Sequence, residues 1–205
     1  GTPLQILFLL GTFFTMAVGV LAAGALHGRR LGDLIGGYAR TGQMFVRAMV
    51  GASPVIGAVL IYSFMTTDLI PNISPSVWLA LLPAAFALLF VQVGAEELVF
   101  RGYLQSQLAA MNLHPFFWIG IPSIIFGLVH YDPVTMGETA PYVVLWATFF
   151  GIVAADLTAR TGTLGPAIAL HLVNNMFPLL FFGYPDYLGG LSLFSLPYSV
   201  SDQGM

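Results

Sequence analysis

Long apolar runs constrain this sequence more than any motif does. Windows near Leu4 to Leu26, Met49 to Met65, Val77 to Val93, Pro115 to Val129, Pro141 to Ala159 and Leu164 to Gly183 carry almost no charge. A helix needs about 20 such residues to cross the roughly 30 Å hydrocarbon layer of a bilayer. A backbone in hydrocarbon has no water to bond with, so segments of this kind fold as helices. Composition agrees, because 58% hydrophobic and 7% charged residues fall far from the roughly one quarter charged residues of soluble domains. The expected fold is all-α, a polytopic transmembrane helix bundle of about six spans. It is expected to form a single membrane-embedded domain over residues 1–205, with a motif-bearing core over 77–183.

The connecting segments set the orientation. Between the first two spans, "HGRRLGDLIGGYARTGQMFVR" mixes arginines with apolar residues and reads as an amphipathic interfacial segment. "TTDLIPNISPS" and "YDPVTMGETA" hold loop-forming residues, and the tail after Tyr184 has no helical period. Arg29, Arg30, Arg40 and Arg47 follow span one, Arg101 follows span three and Arg160 follows span five. The alternate loops and the tail carry only Asp68, Asp132, Glu138, Asp186 and Asp202. The positive-inside rule then puts the arginine side in the cytoplasm, with both ends of this segment outside. The reading is an integral protein of a bacterial inner membrane, with lipids as its first partners. The first span lacks a signal peptide's cleavage pattern and reads as a retained helix; whether residues precede Gly1 is left open.

Several function classes drop out. There is no lysine and no basic run, so nucleic acid is not an expected partner. There is no cysteine, which removes disulfides, thiolate catalysis and cysteine-ligated metals. No internal repeat supports a transporter with duplicated halves.

Ionisable residues inside spans cost about 2.5–3.5 kcal/mol each at the bilayer centre and mark candidate sites. In "EELVFR", Glu97 and Arg101 stand four apart with the acid first, the favourable order for a same-face ion pair. Glu96 points about 100° away and is left without that partner. His130 ends span four, with Phe126 one turn before it on the same face. His171 and Asn175 share a face of span six, with Asn174 one position short of it. Taken singly, each has an ordinary reading: a snorkelling interfacial cluster, a helix-end histidine, an interhelical hydrogen bond. Depth makes the set more informative. Glu96 and His130 are equidistant from Leu113 in "MNLHP", so an antiparallel hairpin turning there holds both about 25 Å from the turn. His171 descends from "TGTLGP" on the same side. Glu96, His130, His171 and Asn175 are therefore expected to converge in the cytoplasmic leaflet.

A carboxylate in a low-dielectric pocket can serve as a general base on water. A histidine can orient that water or protonate a leaving amine, and an Asn amide or a second histidine can stabilise an oxyanion. The same set, as Glu96, His130 and His171, could instead hold a divalent metal such as zinc, although the compact HExxH spacing is absent.

At these residues the chain resembles the CPBP family of intramembrane endopeptidases, which includes CAAX proteases, bacteriocin-processing enzymes and type II prenyl-protein proteases. EExxxR matches Glu96, Glu97 and Arg101; FxxxH matches Phe126 and His130; HxxxN matches His171 and Asn175. The resemblance implies a protease in which Glu96 activates water, His130 assists it, and His171 with Asn175 forms the oxyanion site. Glu97, Arg101 and Phe126 become structural support. The family has been described both as glutamic proteases and as metalloproteases; no cofactor is preferred here, because the compact metal motif is missing. The implied partner is a peptide or membrane-protein substrate reaching the site from the cytoplasm or within the bilayer. Two other classes remain alternatives: a scaffold or accessory subunit of a larger membrane complex, and an ion or proton carrier using Glu96 and Glu97.

Overall fold

The computed structural model describes residues 1–111 and 114–202. Helix α1 (Pro3–Leu26) starts on a reciprocal cap, with Thr2 accepting from the Gln5 backbone and Gln5 from that of Thr2. A short α2 (Leu31–Ile35) leads to the long α3 (Tyr38–Thr66). Helix α4 (Pro75–Glu97) is capped by Ser74 and runs without a break into a π-helical stretch, Leu98–Gln105, and then α5 (Ser106–Ala110). On the return, a π turn (Phe116–Gly120) opens α6 (Ile121–Leu128). After α7 (Pro133–Met136) come α8 (Ala140–Thr161) and α9 (Gly165–Met176), the latter ending in a third π segment, Phe177–Phe181.

The fold is an all-α membrane helix bundle. Four helical stretches, Pro3–Leu26, Leu31–Thr66, Pro75–Ala110 and Pro133–Thr161, are long and apolar enough to cross a membrane, and Phe116–Leu128 and Gly165–Phe181 are shorter apolar helices. The six apolar windows of the sequence all reappear, with two changes of boundary. The segment expected to lie along the surface between the first two spans divides into α2 and the opening turns of α3, which starts at Tyr38 rather than near Met49. The third helix continues to Ala110, so Arg101 sits within a helix and not in a loop.

Glycines and small residues set the close approaches. A side chain at Gly151 would lie 2.9 Å from Ser123 Cβ, and one at Gly127 would collide with Thr148 and the Val144 carbonyl. Helices α6 and α8 therefore pack almost backbone to backbone, as small residues allow in membranes. In α3, Pro54 cannot donate to the Val50 carbonyl, and Ser53 Oγ donates to it instead at 2.7 Å.

The tail is more ordered than its sequence suggests. Strands β1 (Ile70–Pro71), β2 (Phe182–Gly183) and β3 (Phe194–Ser195) form a small sheet in the order β1-β3-β2, with β1 antiparallel and β2 parallel to β3. Val200 is buried against Met136 and Ala140, and Thr139 Oγ1 donates to its carbonyl at 2.8 Å. The tail thus closes the end of the bundle where α4 and α8 begin.

The expected hairpin turn is centred on Leu113, which lies outside the described residues. Its register is nevertheless visible on the two arms. Phe100 and Phe126, each 13 residues from Leu113, meet edge to face with centroids 5.0 Å apart.

Candidate active site

Polar residues line the inner face of α4 and its π continuation, where Gln92, Glu96, Glu97, Arg101 and Gln105 are all buried. In an α-helix, residues four apart stay on one face; the i→i+5 bonding after Glu97 widens the turn, a device often found at functional sites. Arg101 falls within this widened stretch. Its Nη1 donates to Glu97 Oε1 at 3.1 Å, and Nη2 donates to the Gly151 carbonyl at 3.3 Å. The guanidinium also lies over the Phe126 ring, 4.5 Å from its centroid. The i,i+4 ion pair expected from the sequence is therefore present, and both side chains are almost fully shielded, at 0% exposure for Glu97 and 1% for Arg101.

His171, on α9, ties this pair to Glu96. Its Nδ1 donates to Glu97 Oε1 at 2.7 Å, while Nε2 faces Glu96 Oε2 at 3.5 Å. The second separation is longer than a hydrogen bond. Glu96 Oε2 and Glu97 Oε2 are buried without a hydrogen-bond partner among the described residues. Unpaired buried carboxylate oxygens are costly and mark places where other groups are to be bound. The imidazole is wedged between Phe126 and Phe150, with ring centroids 5.7 and 5.0 Å away, so it cannot swing freely.

Asn175 lies one turn further along α9. Its Nδ2 donates to Gln92 Oε1 at 3.0 Å, and Gln92 is one turn before Glu96 on α4. His130 joins the set through Phe126, donating from Nδ1 to the Phe126 carbonyl at 2.7 Å and packing against its ring at 4.7 Å. Among the described residues it makes no hydrogen bond to Glu96. The structure thus gathers Glu96, Glu97, Arg101, Phe126 and His171 closely, holds Asn175 beside them through Gln92, and packs His130 against the Phe126 ring. The Nδ1 bonds of His171 to Glu97 and of His130 to a carbonyl leave each Nε2 to face other groups, but no group of three His, Asp or Glu side chains among the described residues is arranged to hold a metal ion.

Gln92, Phe150 and Gly151 were not singled out from the sequence. Gln92 carried a signal, since a polar residue in an apolar run is unusual, but the two glutamates beside it dominated the reading. Phe150 and Gly151 are indistinguishable by composition from the rest of α8.

Residues 76–177 match the family described as type II CAAX prenyl endopeptidase Rce1-like. Over these residues the chain belongs to the Rce1-like family. The Rce1-like region begins at the second residue of α4, ends at the first residue of the last π segment, and includes all seven residues of the three motifs. It is also 34% identical over 110 residues to the uncharacterized protein YyaK of Bacillus subtilis (strain 168). That alignment covers 54% of this chain and 36% of YyaK, so the Rce1-like chain spans about a third of the curated relative it matches. No solved structure matches the chain.

Proposed function

We propose that this Rce1-like chain is an intramembrane endopeptidase in which Glu96 acts as general base on the hydrolytic water. The observation that carries the reading is the buried, unpartnered Glu96 Oε2 standing 3.5 Å from His171 Nε2, with His171 itself fixed by Glu97. A water bound between Glu96 and a substrate carbonyl loses a proton to the carboxylate as its oxygen adds to the carbonyl carbon. In its doubly protonated form His171 donates from Nδ1 to Glu97 and carries a second N–H on Nε2. That N–H and the remaining N–H of Asn175 Nδ2 stabilise the oxyanion. The proton held by Glu96 then passes to the leaving amine, and His130 assists its transfer. Glu97, Arg101 and Phe126 keep this geometry and exclude bulk water.

The proposed substrate class is a peptide or membrane protein that enters from the cytoplasmic leaflet, and the family description makes a prenylated peptide ending in the C-a-a-X motif the first probe. The test that needs no chosen substrate compares membrane-protein N-termini by mass spectrometry in cells expressing the chain or Glu96→Gln at equal levels. New N-termini confined to the unmodified chain are expected. Identical profiles under several growth conditions would overturn the peptidase reading and favour a scaffold role.

A further inference from the structure

The geometry points to a directional chain of side-chain amides that orients Asn175, with Trp146, Asn174 and Gln92 as its positioning residues; the inference rests on the oxyanion role proposed for Asn175. The chain crosses three helices. From α8, Trp146 Nε1 donates to Asn174 Oδ1 at 3.4 Å; Asn174 Nδ2 donates to Asn175 Oδ1 at 3.0 Å; Asn175 Nδ2 donates to Gln92 Oε1 at 3.0 Å on α4. Trp146 is more than half exposed on the outside of the bundle, and its indole N–H is aimed at Asn174.

An amide side chain has an oxygen that accepts and a nitrogen that donates, and the two ends are nearly identical in shape. Packing alone therefore cannot decide which end faces which neighbour. An indole can only donate, so Asn174 must present its oxygen to Trp146, and its nitrogen then faces Asn175. Asn175 in turn must present its oxygen to Asn174, which directs its NH2 towards α4. Gln92, one turn before Glu96, takes one of these N–H groups, and the other is the donor assigned above to the oxyanion. With the opposite polarity, Asn174 would set a donor against the indole N–H, and Asn175 would aim a carbonyl oxygen at developing negative charge. The donor at the bundle surface thus fixes the sign of the dipole at the site, two residues away.

Three substitutions separate this from a packing role. Trp146→Phe keeps an aromatic ring against lipid and deletes only the donor. Asn174→Asp can only accept when ionised, so it draws Asn175 Nδ2 towards itself and reverses the chain. Gln92→Met removes the terminal acceptor at similar volume. The first readout is the side-chain amide NMR signal of Asn175 in micelles with selective ¹⁵N-asparagine labelling; the chain has four asparagines, Asn72, Asn112, Asn174 and Asn175, and loss of a signal in Asn175→Asp identifies it. The signal is expected to move in all three variants, including Trp146→Phe, whose bond is to Asn174 and not to Asn175. An unmoved Asn175 signal in Trp146→Phe and Asn174→Asp would overturn the inference. The second readout is steady-state cleavage of a substrate found by the N-terminus comparison. Loss of an oxyanion donor lowers kcat by about 100-fold or more, so kcat is expected to fall by about that factor in Asn174→Asp and about tenfold in Trp146→Phe, with KM within about twofold. Unchanged kcat, or a loss carried by KM, would reduce these residues to packing and sink the positioning role. Should the unmodified chain cleave nothing, the peptidase reading fails, while the NMR arm still decides the amide chain.

Discussion

Arg101→Met is the substitution whose consequence follows most directly from the geometry. Methionine keeps most of the apolar stem and removes the guanidinium. Three interactions disappear: the 3.1 Å ion pair with Glu97, the 3.3 Å hydrogen bond to the Gly151 carbonyl, and the cation over Phe126 at 4.5 Å. Removing one partner of a buried pair costs about 3–5 kcal/mol, because the other charge is stranded. The cation–π contact adds about 0.5–2 kcal/mol, whereas the Gly151 bond is too long to contribute much. Against this, Glu97 keeps its 2.7 Å bond to His171 and can take up a proton, so the lower part of the range, about 4 kcal/mol, is expected. For a domain of this size each kcal/mol lowers Tm by about 2–4 °C, which gives a fall of about 8–16 °C. The assay is thermal unfolding in detergent micelles of the parent, Arg101→Met, Glu97→Gln and the double variant. The double variant leaves no stranded charge, so it should lose less than the sum of the singles by about 2–3 kcal/mol. A shift under about 3 °C for Arg101→Met, or strict additivity in the double variant, would refute a tightly coupled buried pair.

Other outcomes follow from the same geometry. Strong chelators are expected to leave turnover of an identified substrate unchanged, since Glu96, His130 and His171 do not converge as a ligand set; loss with chelator and recovery with Zn²⁺ would contradict this. Gly151→Leu is expected to push α8 from α6, because even a Cβ would lie 2.9 Å from Ser123 Cβ, and overpacking of this kind costs about 1–3 kcal/mol; an unchanged unfolding midpoint would argue against the close approach. In the tail, the Ser199 hydroxyl, and then the Val200 N–H, hydrogen-bond Asp186 and hold its carboxyl below the usual carboxylate range. A lowered folded value stabilises the docked tail above the unfolded pKa of about 3.9, and that contribution is lost as pH falls through the folded value. Limited proteolysis after Tyr184 should therefore accelerate at acid pH in the parent and show a weaker pH dependence in Asp186→Asn.

Features set by local spacing were readable from the sequence. The apolar windows marked the helices, and the four-residue separation of Glu97 and Arg101 foretold their ion pair. What escaped depends on partners distant in the chain. Asn175 was visible as the fourth residue after His171, but its bond to Gln92 joins positions 83 apart, and Trp146 reaches Asn174 across 28. Nothing in "LVFRGYLQ" announces the i→i+5 bonding seen there. The early start of α3 also follows from tertiary contact, with Thr41 bonded to Thr163 and Gly165 pressed against the α3 backbone. The tail has no period to read because each of its strands is two residues long.

The central claim, that Glu96 activates water for peptide hydrolysis, is tested most directly by a single turnover in H₂¹⁸O. The purified chain and Glu96→Gln, matched for thermal unfolding, are each given a substrate drawn from the N-terminus comparison. The expected result is one ¹⁸O atom in the new C-terminal carboxylate from the parent and no cleavage by Glu96→Gln. Cleavage by Glu96→Gln at the parent rate, or a product free of label, would contradict it.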